Sequence, residues 1–175
     1  MRKIFIVSGP AGVGKSTTAR RLAEQFNHSA YIEGDLVNHM VVGGYLPPWE
    51  SGELKLLVWD NLADLCINFV QAGKDVVIDY VAFPQDLRRF SEQVWKEIEN
   101  VEIHYVVLWA GRDELLRRDS LRDTDDQMGE RCLELVEEFL SKGVEPRFFY
   151  NTTGLKPSEL NEIVTEIMKN PSYKF

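Results

Sequence analysis

Lys3-Ile4-Phe5-Ile6-Val7-Ser8-Gly9-Pro10-Ala11-Gly12-Val13-Gly14-Lys15-Ser16-Thr17 decides how the rest of the chain is read. Lys3 to Ser8 is a short apolar run closed by a glycine-rich turn, the pattern of a fully buried strand. Gly9 to Ser16 then fits G-x-x-x-x-G-K-[ST] without a gap. Glycines let successive backbone N–H groups close around phosphate, where a Cβ would block the turn or the approach. A helix expected from Lys15 to about Phe26 adds the positive end of its dipole to that nest. Lys15 is placed to reach β- and γ-phosphates, and the Ser16 hydroxyl to ligate Mg²⁺. The phosphate-contacting set is thus Gly9, Pro10, Ala11, Gly12, Val13, Gly14, Lys15, Ser16 and Thr17. A chance match in a chain of this length has a probability on the order of 1%.

Outward from the loop, 175 residues at 44% hydrophobic composition point to one compact domain over 1–175. The formal net charge of -8 speaks against a broad nucleic-acid or anionic-membrane surface, either of which needs a basic patch. Cys66 and Cys132 have no metal-ligand spacing, and each falls in a helical apolar series, so both are expected in the core. Ile4–Val7 is too short for a signal segment or a membrane span, which makes the cytoplasm the expected location. The oligomeric state is left open.

Strands and helices alternate. Further strands are expected at Ala30–Glu33, Asp75–Tyr80, Glu102–Ala110 and Arg147–Tyr150. A short helix is expected from Leu36 to about Val42, followed by a turn-rich loop to Trp49. A long helix then carries Leu54, Leu57, Val58, Leu62, Leu65, Cys66 and Phe69 on one stripe and ends at Gly73. Pro84 opens a helix to about Glu99, two polar helices occupy roughly 112–121 and 127–142, and Pro157 starts the last one. This order argues for a parallel sheet covered on both faces.

With the loop at its head, the chain resembles the small P-loop kinases, which include adenylate, shikimate and gluconate kinases and chloramphenicol phosphotransferase. The resemblance is sharp at the loop and elsewhere rests on the placing of single residues. It implies a three-layer α/β/α fold with a five-stranded parallel sheet, of the nucleotide/shikimate kinase type within the P-loop nucleoside triphosphate hydrolases. It also implies ATP and Mg²⁺ as cofactors, a substrate-binding helical region at about 36–72 and an arginine-bearing lid at about 112–130. Strand two ends in Glu33-Gly34-Asp35, where such kinases keep a carboxylate that serves as base or metal ligand. The other reading of Asp35 is an N-cap. Strand three closes on Asp79, similar to a Walker B acid, with a metal or substrate role. Arg118 and Arg122, spaced to share a helical face, resemble lid arginines that stabilise phosphoryl transfer with Lys15 and Asp35. Asn151 falls where these kinases contact adenine, and a polar turn is the equal alternative.

Two departures bear on the acceptor. Adenylate-type kinases carry an arginine where this chain has Gln85, and between Leu36 and Asp86 only Lys55 and Lys74 are cationic, which disfavours a nucleotide acceptor. Gluconate kinases place a histidine three residues after the strand-two aspartate, whereas here Asn38 holds that place and His39 follows it. Asp35 and His39 with Tyr45 and Trp49 nevertheless suit a pocket for a hydroxylated, weakly charged molecule, beside Asp79. The expectation is an ATP-dependent kinase acting on a hydroxyl of a small polar metabolite or drug. The competing readings are an ATP-binding regulatory or toxin-like protein and a nucleotide kinase. A GTPase switch is opposed by the lack of an N-K-x-D motif, and a polynucleotide kinase by the acidic balance.

Overall fold

The computed structural model describes residues 1–124 and 127–175. Its strands β1 (Arg2–Ser8), β2 (Ser29–Glu33), β3 (Asp75–Asp79), β4 (Val101–Trp109) and β5 (Phe149–Asn151) form one sheet in the order β2-β3-β1-β4-β5. Every strand pair is parallel. The connections are made by α1 (Lys15–Ala23), α2 (Gly34–Asn38), α3 (Gly52–Gln71), α4 (Pro84–Glu97), α5 (Arg112–Asp119) and α6 (Glu130–Ser141), and α7 (Leu160–Lys169) follows β5. The chain leaves β1 toward β2 on one side and crosses back from β3 to β4 on the other. β1 is therefore the switch point, and its carboxyl end is where an open α/β sheet binds ligands.

The three layers follow from the period of two along β1. Ile4 and Ile6 face one way, onto Val58, Leu62 and Cys66 of α3 and Leu87 and Phe90 of α4. Phe5 and Val7 face the other way, onto Ala19 and Leu22 of α1 and Ile163, Val164 and Ile167 of α7. All of these are essentially buried, and each large one contributes about 1.5–3 kcal/mol by leaving water. Both cysteines are free thiols in the interior, as the apolar spacing requires.

Several boundaries differ from the sequence reading. α1 stops at Ala23, and Gln25 and Phe26 form a turn bonded to Leu22 and Ala23. α2 begins at Gly34 and ends at Asn38, short of Val42. Glu33, not Asp35, holds its N-cap position, so the capping role for Asp35 is withdrawn. In α3 the inward stripe is Val58, Trp59, Leu62, Ala63, Cys66 and Val70, while Leu57 and Phe69 are exposed. α6 starts at Glu130 rather than 127, and Arg147 belongs to a 3-10 turn before β5. The expected lid spans 112–130, and its residues Asp125 and Asp126 lie outside the described ones. No helix among the described residues is long and apolar enough to cross a membrane.

Candidate active site

β1 delivers the chain into the loop, and Gly9 makes the first turn at φ 137°. Any Cβ there would run into the carbonyl oxygen of Leu108 on β4, so only glycine lets the loop leave the sheet at this point. No side chain caps α1, and its first turn carries no acid. Its leading N–H groups are therefore left for an anionic ligand. Lys15, half-buried, curls back so that Nζ donates to the Pro10 carbonyl at 3.0 Å.

Three other groups gather around that ammonium. Burial draws the Lys15 pKa down, while Asp79 and Asp35 stand close enough to favour its charged form and Arg122 opposes it. Asp79 ends β3, in register with Val7 on β1 and Glu33 on β2. It is 4% exposed and accepts a bond from the Tyr31 hydroxyl at 3.1 Å. Asp35 reaches solvent on one side. Even so, the protein packed around its carboxyl raises its pKa; Lys15 pulls the other way and Asp79 adds to the rise. Gly34 sets Asp35 in place, because the Tyr80 ring occupies the space a Cβ would need. The segment after β3 is itself clamped to the sheet. Ser8 Oγ accepts the Ala82 N–H at 2.9 Å, and the Tyr105 hydroxyl donates to the Ala82 carbonyl at 2.7 Å.

The arginines separate. α5 ends at Asp119, so Arg118 and Arg122 do not share a helical face. Arg118 turns inward: its guanidinium donates to the Val13 carbonyl at 3.3 Å, to Thr152 Oγ1 at 3.1 Å and to the Thr152 carbonyl at 2.8 Å. It also pairs with Glu114 at 2.7 Å, and the two-arginine clamp of Arg117 and Arg118 holds the Glu114 pKa down at about 2. Arg122 lies beyond the helix, beside Lys15, with its guanidinium 3.4 Å from Asp119. Asp119, the last residue of α5, is buried. Its carboxylate accepts the N–H groups of Met128 at 3.0 Å and Gly129 at 2.8 Å. Burial raises its pKa, but those donors outweigh it and the net shift is downward.

On the acceptor side, Asn38 is 1% exposed and donates to the Tyr45 hydroxyl at 3.3 Å, and the Tyr45 ring lies 5.4 Å from that of His39. Trp49 is exposed, with the Arg131 guanidinium 4.9 Å above its ring. Asn151 is exposed, and its side chain accepts the Thr153 N–H at 2.9 Å, which is the polar turn that was its alternative reading. Its neighbour Thr152 is the buried member of that turn and accepts from Arg118. Among the described residues no group of three or more His, Cys, Asp and Glu side chains is arranged to hold a metal ion alone.

A parallel sheet whose central strand opens into this loop, with Asp79 ending the next strand and Asp35 just after the one beyond it, defines a P-loop domain of the nucleotide/shikimate kinase type. The chain belongs to the AAA domain family, whose model matches residues 4–145. No curated protein matches the sequence. Among solved structures it is similar to a gluconokinase from Sinorhizobium meliloti 1021, at 20% identity and a TM-score of 0.64 over 95% of this chain and 91% of that one. A tunicamycin resistance protein from Deinococcus radiodurans gives 21% identity and a TM-score of 0.64 over 95% and 94%. A sugar kinase from Janibacter sp. HTCC2649 gives 18% and 0.63 over 100% and 99%. At these identities the likeness is one of fold.

Proposed function

We propose that this protein transfers the γ-phosphate of Mg-ATP to a hydroxyl of a small polar molecule. The observation that carries this reading is the phosphate loop at the carboxyl end of β1, with Asp79 ending the neighbouring strand and Asp35 following β2, both acids favouring the charged form of Lys15. The kinases named above share this fold from end to end, which supports the reading. The loop N–H groups from Gly9 to Thr17 take the phosphates, and Lys15 exchanges its bond to Pro10 for phosphate oxygens. The protein packed around Asp35 raises its pKa, which makes the carboxylate a stronger proton acceptor than an ordinary surface aspartate. It orients the acceptor hydroxyl and receives its proton as the oxygen attacks phosphorus. Arg122, near enough to lower the Lys15 pKa, offers donors to the charge that spreads over the transferring group.

The oxygen donors of Ser16, Asp35 and Asp79 fit Mg²⁺, which keeps most of its waters and takes one or two carboxylates besides phosphate. When bound, the ion neutralises phosphate charge. Arg118 acts at one remove, fixing the Val13 carbonyl of the loop to the turn after β5. The test is ADP production across a panel of sugars, sugar alcohols, nucleosides and phenicol- or aminoglycoside-type drugs, repeated with Asp35→Asn. The expected result is acceptor-dependent ADP release that falls at least ~10²-fold in the variant. Turnover by Asp35→Asn at the wild-type rate removes the base from the account.

A further inference from the structure

Between α2 and α3 the chain crosses from one side of the site to the other. Tyr45 stands on the Asp35 side: its hydroxyl accepts from Asn38 and its ring lies against His39, three and four residues after Asp35. At the other end of the same loop, the Trp49 ring lies under the guanidinium of Arg131, in the first turn of α6. That turn is on the phosphate-loop side, because the next residue, Cys132, packs with Ala11 of the loop. Residues 45–49 thus form an arm from the helix that carries Asp35 to the helix that backs the phosphate loop.

The core does not set the position of this arm, since Met40, Val42 and Leu46 are exposed. Gly44, just before it, sits at φ 72°, where a glycine pivots without strain. Pro47 and Pro48 each have a fixed φ, so the stretch from Tyr45 to Trp49 moves as a stiff piece. Released from Arg131, it would be held at the site by the 3.3 Å bond of Asn38 to Tyr45 and the contact with the His39 ring. Arg131 is already committed. It pairs with Glu134 at 2.9 Å and Glu138 at 2.8 Å, and its side chain is 19% exposed. Two carboxylates answer its charge and fix the planar group, and the Trp49 ring takes the place beneath it.

We propose that Trp49 and Arg131 clasp this arm in place, and that Trp49 is thereby a positioning residue for the phosphate acceptor. It acts through Tyr45, which the arm carries against Asn38 and His39 beside Asp35. An arm held before the acceptor arrives spares the acceptor the cost of ordering it. Loss of the clasp lowers the fraction of binding-competent molecules, which raises KM for the acceptor and leaves the transfer step alone. The proposal rests on the kinase reading and goes further, because it gives an exposed tryptophan a role at one remove from the chemistry.

Two measurements on the whole protein test it, with Trp49→Ala, Trp49→Phe and Arg131→Gln. Amide nitrogen relaxation of the substrate-free protein reads the arm itself. Order parameters at Gly44, Tyr45 and Leu46 should be about 0.85 in wild type and Trp49→Phe, and below about 0.6 in the other two. Kinetics then use an acceptor found in the panel above. Trp49→Ala should raise its KM ~3- to 10-fold, the worth of one cation–π contact, with kcat and Mg-ADP affinity unchanged. Trp49→Phe should restore most of that loss, and Trp49→Ala combined with Arg131→Gln should be no worse than either alone. Order parameters in Trp49→Ala equal to those of wild type overturn the proposal. So does a KM effect that adds in full to that of Arg131→Gln, since Trp49 would then touch the acceptor itself. If no compound accepts phosphate from Mg-ATP, the kinase reading and the positioning role fall together, while the relaxation data still decide the clasp.

Discussion

Arg118 donates through its guanidinium to the carbonyl oxygen of Val13, 105 residues earlier in the chain, and so ties the phosphate loop to α5. The same group holds both the hydroxyl and the carbonyl of Thr152. One fork therefore joins three segments, each of which ends at the carboxyl edge of the sheet. Such a charge-assisted, largely buried cluster is worth more than a surface ion pair. Arg118→Lys keeps the charge but cannot span the same partners. It should lower unfolding stability by about 1.5–3 kcal/mol, read from urea denaturation. Nucleotide affinity should drop as well, because Val13 loses its anchor. A variant as stable as wild type would show that the cluster is ornamental.

Substitution of Lys15 should act on ligand binding and not on the fold. Its one side-chain bond goes to Pro10 within the same loop. Lys15→Ala should melt near the wild-type temperature yet bind Mg-ADP about 30- to 100-fold more weakly, the cost of removing a charged hydrogen bond. Calorimetric titration of both proteins decides it. Equal affinities would remove the loop from the phosphate site.

The raised pKa of Asp35 predicts a trade-off with a definite sign. Its folded value exceeds its unfolded one, so the folded state holds the proton more tightly. Between those two values the fold loses stability as pH rises, and at neutral pH the ionised carboxylate is a standing cost. Asp35→Asn should therefore melt above wild type at pH 7, with the gap closing as pH falls below the ordinary carboxylate range. Phosphoryl transfer should show an acid limb displaced upward from that range and vanish in the variant. A variant less stable than wild type at neutral pH would contradict the placement.

How far the sequence could be read follows from where its signals are local. The loop is a contiguous pattern with a strand before and a helix after, and its reading needs no tertiary information. Asp79 was legible because a strand end is marked by the run Val76-Val77-Ile78 before it. α3 was placed correctly but rotated: apolar residues surround much of the helix, so its phase is set by what it packs against, and Trp59 displaced Leu57 and Phe69 from the inner face. Arg118 and Arg122 were misjudged because spacing implies a shared face only while a helix continues, and α5 stops between them. Nothing local marks Thr152 and Asp119 as buried. A buried role for a short polar residue depends on a partner more than thirty residues away in one case and on a returning loop in the other.

Asp119 supplies a prediction in the opposite pH direction. Backbone donors from Met128 and Gly129 and the Arg122 guanidinium depress its folded pKa despite burial. Its stabilisation is complete above the unfolded carboxylate value and is lost as pH falls through the folded one. Asp119→Ala should cost about 1–3 kcal/mol at pH 7, since the Met128 and Gly129 N–H groups lose a charged acceptor. It should also speed hydrogen exchange at Met128 and Gly129. Unchanged exchange at those two amides would mean the carboxylate does not hold the loop.

Movement of phosphate from ATP to an acceptor held at Asp35 can be observed directly by phosphorus NMR. Protein, Mg-ATP and a neutral polyhydroxy acceptor are followed in one tube, with an acceptor-free sample as reference. The account predicts loss of the γ-phosphate resonance matched by a new phosphomonoester signal, and neither change without acceptor. Release of inorganic phosphate alone, at the same rate in both tubes, would make the protein an ATPase and contradict the account.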